Sequence, residues 1–125
     1  MNLLDVTIGK ALGSGSAGRA AETAAAVSGT TPRIAAEDRT LYLCGDAVTA
    51  LTVTSLPASG LFEIVFACGA AAPQVTLPAN VLLPDGVRIE ADKIYDISIR
   101  VCSVDGTAWG LAAVQGWSVP SAAAE

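Results

Sequence analysis

The feature that most constrains the fold is a run of strictly alternating residues at positions 95–101. Every second residue is apolar and the residues between are polar: Tyr95, Ile97, Ile99 and Val101 against Asp96, Ser98 and Arg100. A period of two places one row of side chains in a core and the other row in water. The run therefore predicts a half-buried β-strand.

A second predicted strand, at residues 61–67, is apolar on both faces. One face carries Phe62, Ile64 and Phe66, and the other carries Leu61, Val65 and Ala67. A strand that is apolar on both faces is covered on both sides. We therefore expect part of this strand to contact another subunit, with Phe62, Ile64, Val65 and Phe66 at the oligomer interface.

Short β patterns recur through most of the remaining chain. Apolar or alternating runs are found at residues 41–44, 48–55, 75–77, 81–83 and 87–90, and a last strand is expected at 107–117. Asp85-Gly86 and Asp105-Gly106 have the composition of tight hairpin turns. This spacing predicts a mainly β fold, a small antiparallel β-sandwich or jelly-roll-like domain.

The N-terminal third has a different composition. Leu4, Ile8 and Leu12 recur at helical spacing, residues 13–18 are a Gly-Ser linker, and residues 19–28 suit a helix or an extended segment. A ten-residue helix is marginal alone and needs a surface to dock on. We predict a helical or extended anchoring arm over residues 1–38, a β domain over 39–117 and a tail over 118–125.

The glycine spacing within the linker also matches a nucleotide-binding fingerprint. Gly13, Gly15 and Gly18 follow the G-x-G-x-x-G pattern, and Glu37 and Asp38 lie about twenty residues further on. That fingerprint requires a buried strand before it and a βαβ unit after it. Neither pattern is present here, so we interpret the segment as a linker and expect no cofactor.

Composition indicates association rather than membrane insertion or nucleic-acid binding. Hydrophobic residues make up 52% of the chain and charged residues 15%, yet no apolar stretch approaches the roughly 18 to 20 residues of a membrane span. A small domain cannot bury that much apolar surface internally, which favours a homo-oligomer or a docked partner. The alternative is that the surplus is alanine and valine, which surfaces tolerate. The net charge of -5 and the scattered basic residues disfavour nucleic acid.

Few residues suit catalysis or metal binding. The chain has no histidine, and Cys44, Cys68 and Cys102 lack metal-binding spacing, so we expect no metal site and buried free thiols. Glu63 is an acid in the middle of an apolar strand, a position that can raise the pKa of a carboxyl group for acid catalysis. A position at a solvated subunit rim or a pairing with arginine is the favoured interpretation, so no enzymatic activity is expected.

Two tryptophans near the C-terminus are open to two interpretations. Trp109 and Trp117 share one strand parity with Leu111, which favours packing in a core or interface, Trp109 being a candidate interface residue. The alternative is that both are glycan contacts, because aromatic rings stack on sugars.

Several motifs together resemble small virion proteins of tailed bacteriophages. They are the short amphipathic N-terminal segment, the Gly-Ser run, and the stretches Gly60-Leu-Phe-Glu-Ile-Val-Phe, Val75-Thr-Leu-Pro, Leu83-Pro-Asp-Gly and Tyr95-Asp-Ile-Ser-Ile. The chain is similar to head-fibre or capsid-decoration proteins and to fibre-tip modules of tails, over roughly residues 1–18 and 40–117.

The resemblance implies a homotrimer located in the virion. The β domains would surround a three-fold axis, and the arm would attach to the major capsid protein or another virion protein through Leu3, Leu4, Ile8 and Leu12. Since the N-terminus lacks a signal-peptide pattern, we expect synthesis in the host cytoplasm. A tail or baseplate fibre component and a carbohydrate-binding module are the alternative functions.

Overall fold

The computed structural model describes residues 23–119, and every helix or strand assigned within them is a β-strand. In chain order the strands are β1 (Thr23–Val27), β2 (Arg33–Ala35), β3 (Thr40–Cys44), β4 (Ala50–Ser55), β5 (Gly60–Ala67), β6 (Gln74–Thr76), β7 (Val81–Leu82), β8 (Lys93–Val104) and β9 (Thr107–Ser118). The predicted mainly β fold is confirmed. Across these residues no helix is long and apolar enough to span a bilayer.

The strands form two sheets that face each other. The larger has the order β1-β3-β5-β8-β9-β7, and the smaller has the order β2-β4-β6. Between them lies the main core, to which Ile34, Leu51 and Val53 contribute from the small sheet and Phe62 and Ile97 from the large one. We call the core-facing side of the large sheet its inner face and the opposite side its outer face.

The first six strands run mainly parallel, which corrects the antiparallel prediction. The chain alternates between sheets, so that Thr23 of β1 lies beside Thr40 of β3, and Arg33 of β2 lies beside Thr52 of β4. Parallel neighbours need a long crossover between them. Here the crossover is a strand of the other sheet, so the turns at Gly45-Asp46 and at residues 57–60, which look like hairpin turns in the sequence, carry the chain from one sheet to the other.

The C-terminal strands are antiparallel, as predicted. Strands β8 and β9 pair along their whole length, and Asp105-Gly106 connects them. Asp105 has a φ of 54° and Gly106 a φ of 78°, the two positive values that a type I′ hairpin turn requires. The other predicted hairpin, at Asp85-Gly86, is not formed, because residues 87–90 are not a strand.

The predicted boundary between arm and domain is also corrected. The sequence places residues 23–38 in the arm, but β1 pairs with β3 of the large sheet and β2 pairs with β4 of the small sheet. The backbone of both segments is extended because the neighbouring strands supply its hydrogen-bond partners. The proposed anchoring residues Leu3, Leu4, Ile8 and Leu12 lie outside the described residues.

Two tyrosines fix irregular segments onto the inner face in the same way. The Tyr42 hydroxyl accepts a hydrogen bond from the Glu37 N–H at 2.9 Å and donates one to the Ala35 carbonyl at 3.4 Å. The Tyr95 hydroxyl accepts from the Glu90 N–H at 2.8 Å and donates to the Arg88 carbonyl at 3.3 Å. Each tyrosine thus satisfies backbone groups five and seven residues before it.

The start of β5 depends on a glycine. Gly60 has a φ of 114°, a conformation that residues with a side chain rarely adopt. A Cβ at this position would also overlap the Asp38 carboxylate, which accepts a hydrogen bond from the Leu61 N–H at 2.9 Å. Glycine therefore permits the side chain of Asp38 to fix the end of the strand.

Candidate functional site

The outer face of the large sheet carries a buried apolar group that we call the outer cluster. It consists of Leu41 and Leu43 on β3, Val65 on β5 and Ile94 on β8, with Ala67 packed against it. The four side chains are at most 7% exposed. Apolar side chains are therefore buried on the outer face of the large sheet as well as on its inner face.

The same face carries a second apolar group on β7 and β9, which we call the β9 stripe. It consists of Leu82, Trp109, Leu111 and Trp117, and Leu82 lies directly beside Leu111 in the sheet. Leu82 is 50% exposed, Leu111 43% and Trp117 44%, while Trp109 is half-buried. Large apolar side chains left exposed on a protein surface are typical of interaction sites.

The distribution of large and small residues along β9 is the opposite of what a strand on a core normally shows. Its inward positions are small or medium: Gly110, Ala112, Val114 and Gly116. A Cβ at Gly116 would lie 2.6 Å from the Tyr95 ring, so the inward side has no room for bulk. The large residues of β9 consequently point outward, where the single chain leaves them accessible.

The structure places most of the predicted interface residues elsewhere. Phe62, Ile64 and Phe66 are fully buried between the two sheets, where Phe66 stacks on Tyr95 with ring centroids 5.8 Å apart. They fill the core of one chain and cannot reach a second copy, which corrects their assignment to an interface. Val65 points the other way, into the outer cluster. Of the five predicted interface residues, Trp109 belongs to the β9 stripe.

The two tryptophans share the outer face but lie far apart. Trp109 is paired with Cys102 and Trp117 with Ile94, eight residues apart on one strand. At about 3.4 Å per residue this separation is roughly 27 Å. The rings therefore cannot sandwich one sugar, and a glycan contact would involve each ring separately.

The outer face also carries charged residues, among them Glu63 on β5. Glu63 is 9% exposed and lies between Leu41 and Ser98 on neighbouring strands. A depression of about 370 Å³ is lined by Asp38, Arg39 and Arg100 around Leu61, but the Asp38 carboxylate already accepts the Leu61 N–H. Within residues 23–119 no group of three or more His, Cys, Asp or Glu side chains is arranged to hold a metal ion.

The cysteines are free thiols, as predicted, and differ in exposure. Cys44 and Cys68 are buried on the inner side, and burial raises the pKa of each thiol to about 11. For Cys68 a hydrogen bond with the Lys93 backbone opposes the increase, while the charge of Asp92 adds to it. Cys102 is half-buried beside Trp109. Thiols with raised pKa values are poor nucleophiles at neutral pH.

An apolar cleft opens where the small sheet ends. It has a volume of about 470 Å³ and lies between β6, the inner sides of β8 and β9, and the segment 83–89. Its lining residues are all apolar, among them Val75, Leu77, Val87, Ile89 and Val114. The cleft offers no side chain for acid–base or nucleophilic chemistry.

Sequence reasoning missed Leu82, Leu41 and Leu43 as components of the outer face. It did place Leu111 on the same strand parity as Trp109 and Trp117, but did not name it as an interface residue. Leu41 and Leu43 alternate with Tyr42 and Cys44, so their run was apolar on both faces, like residues 61–67.

Comparison with known proteins gives no match: no family model, curated protein or solved structure is similar to the chain.

Proposed function

We propose that the chain is a structural virion protein of a tailed bacteriophage, a homotrimeric head fibre or capsid decoration protein. In this proposal the two-sheet β-sandwich domains associate through the β9 stripe, and residues 1–22 attach the trimer to the major capsid protein or another virion protein. The protein acts by binding and covering a surface, with no catalytic step. The sequence resemblance over residues 1–18 and 40–117 motivates the virion assignment.

The observation that carries the proposal is the orientation of β9. Its inward side is small, whereas Trp109, Leu111 and Trp117 lie on the outward side and Leu82 extends the same patch. Aromatic and aliphatic residues in such a patch are typical of subunit interfaces. Each large side chain that is half exposed in one chain becomes buried if copies meet along this strand, which is worth about 25 cal/mol for each Å² of apolar surface removed from water.

The mass of the protein in solution tests the association. Three chains of 12.5 kDa give a trimer of 37.5 kDa by light scattering. The double substitution Leu111→Ser and Trp117→Ser should yield folded monomer, because both residues are exposed in the single chain. Gln115→Ser is the matched control, since Gln115 lies between them on the same face and should leave the trimer intact. A monomeric wild-type protein would contradict the proposal.

The position of the protein in particles tests the virion assignment. Antibody labelling of purified particles of the phage that encodes the chain should decorate the head. Three weakly binding segments on one trimer give high avidity, so Leu4→Asp together with Ile8→Asp should remove the protein from particles. Labelling of the tail or baseplate would favour the alternative fibre role. Particles without the protein would refute both assignments.

The exposed ring of Trp117 favours one second candidate, a carbohydrate-binding module. An indole that is 44% exposed on the face of a sheet can stack on a sugar ring. If so, Trp117→Ala abolishes binding on a glycan array while the unfolding midpoint stays unchanged. Trp109→Ala provides the comparison, because the two rings are too far apart to share one sugar.

A further inference from the structure

We propose that copies of this chain join by main-chain pairing between the two open edges of the large sheet, β9 of one copy and β1 of the next. The inference rests on the proposed function, because it takes the homotrimer from there, and it deepens that function by naming the strands that meet. The partner is a second copy of the chain, bound head to tail.

One side of β9 is open over residues 113–118. Strand β8 pairs with the whole of β9 on one side, whereas β7 on the other side lies beside Gly110 and Leu111 alone. The segment 83–89 then leaves this edge and lines the apolar cleft on the inner face. Residues 115–118 are exposed, and no other strand of the described residues pairs with them on this side. An edge with unpaired N–H and C=O groups is a template for pairing with another chain.

The backbone groups of Val114 and Gly116 point to the open side of β9. The Gly110 N–H donates to the Asn80 carbonyl at 2.9 Å, on the side where β7 lies. The N–H and C=O of every second residue of a strand point to the same side. Those of Val114 and Gly116 are therefore directed away from β8. The side chain of the residue between them, Gln115, lies on the outer face.

Strand β1 forms the opposite edge of the same sheet. The Thr23 N–H donates to the Arg39 carbonyl at 3.1 Å, on the side of β3. By the same alternation, the backbone groups of Ala24 and Ala26 point away from β3, to the open side of β1. Both alanines are exposed, and their side chains lie on the outer face beside the outer cluster.

The two edges match in direction. Strands β1, β3 and β5 are parallel neighbours, β8 reverses the direction, and β9 reverses it again, so β9 runs parallel to β1. Rotation about an axis along the strands preserves strand direction. When copies form a ring about such an axis, β9 of one copy therefore meets β1 of the next in parallel.

The two edges also match in the face that each residue occupies. In parallel pairing, a residue whose backbone groups point to the partner strand lies beside one whose groups point away, and both side chains share a face. Ala26 then lies beside Gln115, and both side chains are on the outer face. Antiparallel pairing would place Ala26 beside Val114 or Gly116, whose side chains are on the inner face. Parallel pairing therefore continues both faces of the sheet from one copy into the next.

The open parts of the two edges stand at the same level along the strands. One row of neighbours across the outer face runs through Ala26, Leu43, Val65, Asp96 and Gln115. Strand β1 is thus level with the part of β9 that β7 leaves uncovered. The charged side chains of Glu63 and Asp96 belong to the interior strands β5 and β8, and the outer side chains that meet at the edges are alanine and glutamine.

Head-to-tail pairing uses both open edges of every copy. It also places Trp117, which is 44% exposed in a single chain, diagonally beside the small Ala26 of the next copy. A contact of β9 with itself about a two-fold axis would leave β1 open and could not build a trimer.

Disulfide formation between introduced cysteines tests the pairing in the full chain. Ala26→Cys and Gln115→Cys are combined with Cys102→Ser, so that the remaining native thiols, Cys44 and Cys68, are buried. Within one chain, positions 26 and 115 are four strand spacings apart, about 19 Å, which is too far for a disulfide. Oxidation should therefore link chains to one another, up to a covalent trimer on a non-reducing gel. Absence of linked chains would overturn the proposal.

Control variants distinguish the pairing from random collision and from a two-fold contact. Ala26→Cys combined with Ser103→Cys, a second exposed position away from the edge, should remain unlinked. Gln115→Cys alone should also remain unlinked, because the pairing places residue 115 beside residue 26. A linked dimer of Gln115→Cys alone would show that β9 pairs with itself and would overturn the proposal.

Light scattering without oxidation separates this inference from the proposed trimer. A trimer in which positions 26 and 115 do not link would keep the proposed function and overturn the edge pairing. Specific linkage in an assembly of another size would support the pairing and contradict the trimer.

A proline substitution tests the main-chain contact itself. Ala26→Pro removes the N–H that points to the neighbouring copy and leaves the hydrogen bonds to β3 in place. It should weaken association by at least about tenfold, whereas Ala26→Ser keeps the N–H and should not. Circular dichroism checks that both variants retain their β structure. Equal association of the two folded variants would overturn the proposal.

Discussion

The inner and outer faces of the large sheet are both apolar, but they differ in how their apolar residues are used. On the inner face, large side chains from β5 and β8 are sealed against Ile34, Leu51 and Val53 of the small sheet. On the outer face the outer cluster is buried, whereas the β9 stripe is accessible. The inner face is therefore covered by the small sheet and, beyond it, lined by the segment 83–89 around the apolar cleft, while the outer face is divided between buried and exposed parts.

The difference shows that a strand with apolar residues on both faces does not by itself indicate a subunit interface. Strand β5 is apolar on both sides, yet Phe62, Ile64 and Phe66 belong to the core of one chain. Strand β9 is the better candidate, because contacts within the chain such as that of Gly116 with Tyr95 explain its small inward residues, whereas Leu111 and Trp117 on its outward side stay 43% and 44% exposed. The residues that stabilise the fold and those available for association can thus be separated by substitution.

The largest expected effect is on the inner face. Phe62 is fully buried and packs edge-on against Tyr42 with ring centroids 6.5 Å apart. Phe62→Ala should lower the free energy of unfolding by about 3 to 5 kcal/mol through lost burial and the cavity that remains. Leu111→Ala, a similar truncation at an exposed position of the outer face, should change it by less than about 0.5 kcal/mol in the monomer. Urea unfolding followed by tryptophan fluorescence measures both.

The pair of substitutions also measures association. At concentrations where the wild type is oligomeric, Leu111→Ala should weaken assembly although the domain itself is unchanged. If Leu111→Ala destabilised the monomer as much as Phe62→Ala does, the distinction between the two faces would fail.

Much of the antiparallel half of the fold was predictable from sequence. The alternation of residues 95–101 and the Asp105-Gly106 turn correspond to β8 and the β8–β9 hairpin, because local periodicity and turn chemistry determine both. The parallel half was not predictable in this way. A turn such as Gly45-Asp46 has the same composition whether it reverses a strand within one sheet or carries the chain to the other sheet. That choice depends on long-range packing.

The candidate site was predictable only in part. Trp109 and Trp117 were identified, but their partner Leu82 joins the stripe through parallel pairing with β9, which no local pattern encodes. The tyrosine hydrogen bonds were also missed. Their signal was the similarity of Glu37-Asp-Arg-Thr-Leu-Tyr and Glu90-Ala-Asp-Lys-Ile-Tyr.

The next effect concerns those tyrosines, whose rings lie on the inner face. Tyr42→Phe and Tyr95→Phe keep the ring and remove the hydroxyl that accepts the Glu37 or Glu90 N–H. Each should cost about 1 to 2 kcal/mol of unfolding free energy, since a partly buried donor loses its partner. Hydrogen exchange should accelerate at that one amide and not at the other. A loss of stability without faster exchange at the named amide would contradict the assigned role.

A third effect concerns thiol reactivity, which should be lower for the two inner-face cysteines than for Cys102. Burial raises the pKa of Cys44 and of Cys68 from 9.0 to about 11. At neutral pH this change lowers the thiolate fraction by about 100-fold, so Cys102 should be the first thiol to react with a disulfide reagent in the folded protein. Labelling followed by peptide mapping identifies the order. Prior reaction of Cys44 would show that the core opens readily.

The same shifts predict a loss of stability in alkaline solution. A thiol whose pKa is higher in the folded state favours folding fully below its unfolded pKa of 9.0, and this contribution is lost as the pH rises through about 11. The free energy of unfolding should therefore fall between these two values. The decline should be shallower in a Cys44→Ala, Cys68→Ala protein and unchanged in Cys102→Ala. The other ionisable groups are the same in all three proteins, so their contributions to the pH dependence of stability cancel in this comparison.

The smallest effect is expected at the exposed ion pair beside Tyr95. Lys93 Nζ lies 2.6 Å from Glu90 Oε1, and their hydrogen bond and charges lower the pKa of Glu90 and raise the pKa of Lys93. A lowered carboxyl pKa stabilises the fold above the ordinary value of 4.5 and ceases to do so as the pH falls through the folded value. Because water screens this pair, Glu90→Gln should not measurably shift the unfolding midpoint.

The substitution separates the side chain of Glu90 from its backbone. Glu90→Gln keeps the N–H that the Tyr95 hydroxyl accepts at 2.8 Å, and it removes the charge that faces solvent. Tyr95→Phe does the reverse. If the two proteins lost equal stability, the exposed charge would matter as much as the inner-face hydrogen bond. If only Tyr95→Phe is destabilised, the contribution of residue 90 lies in its backbone, which the tyrosine holds against the inner face.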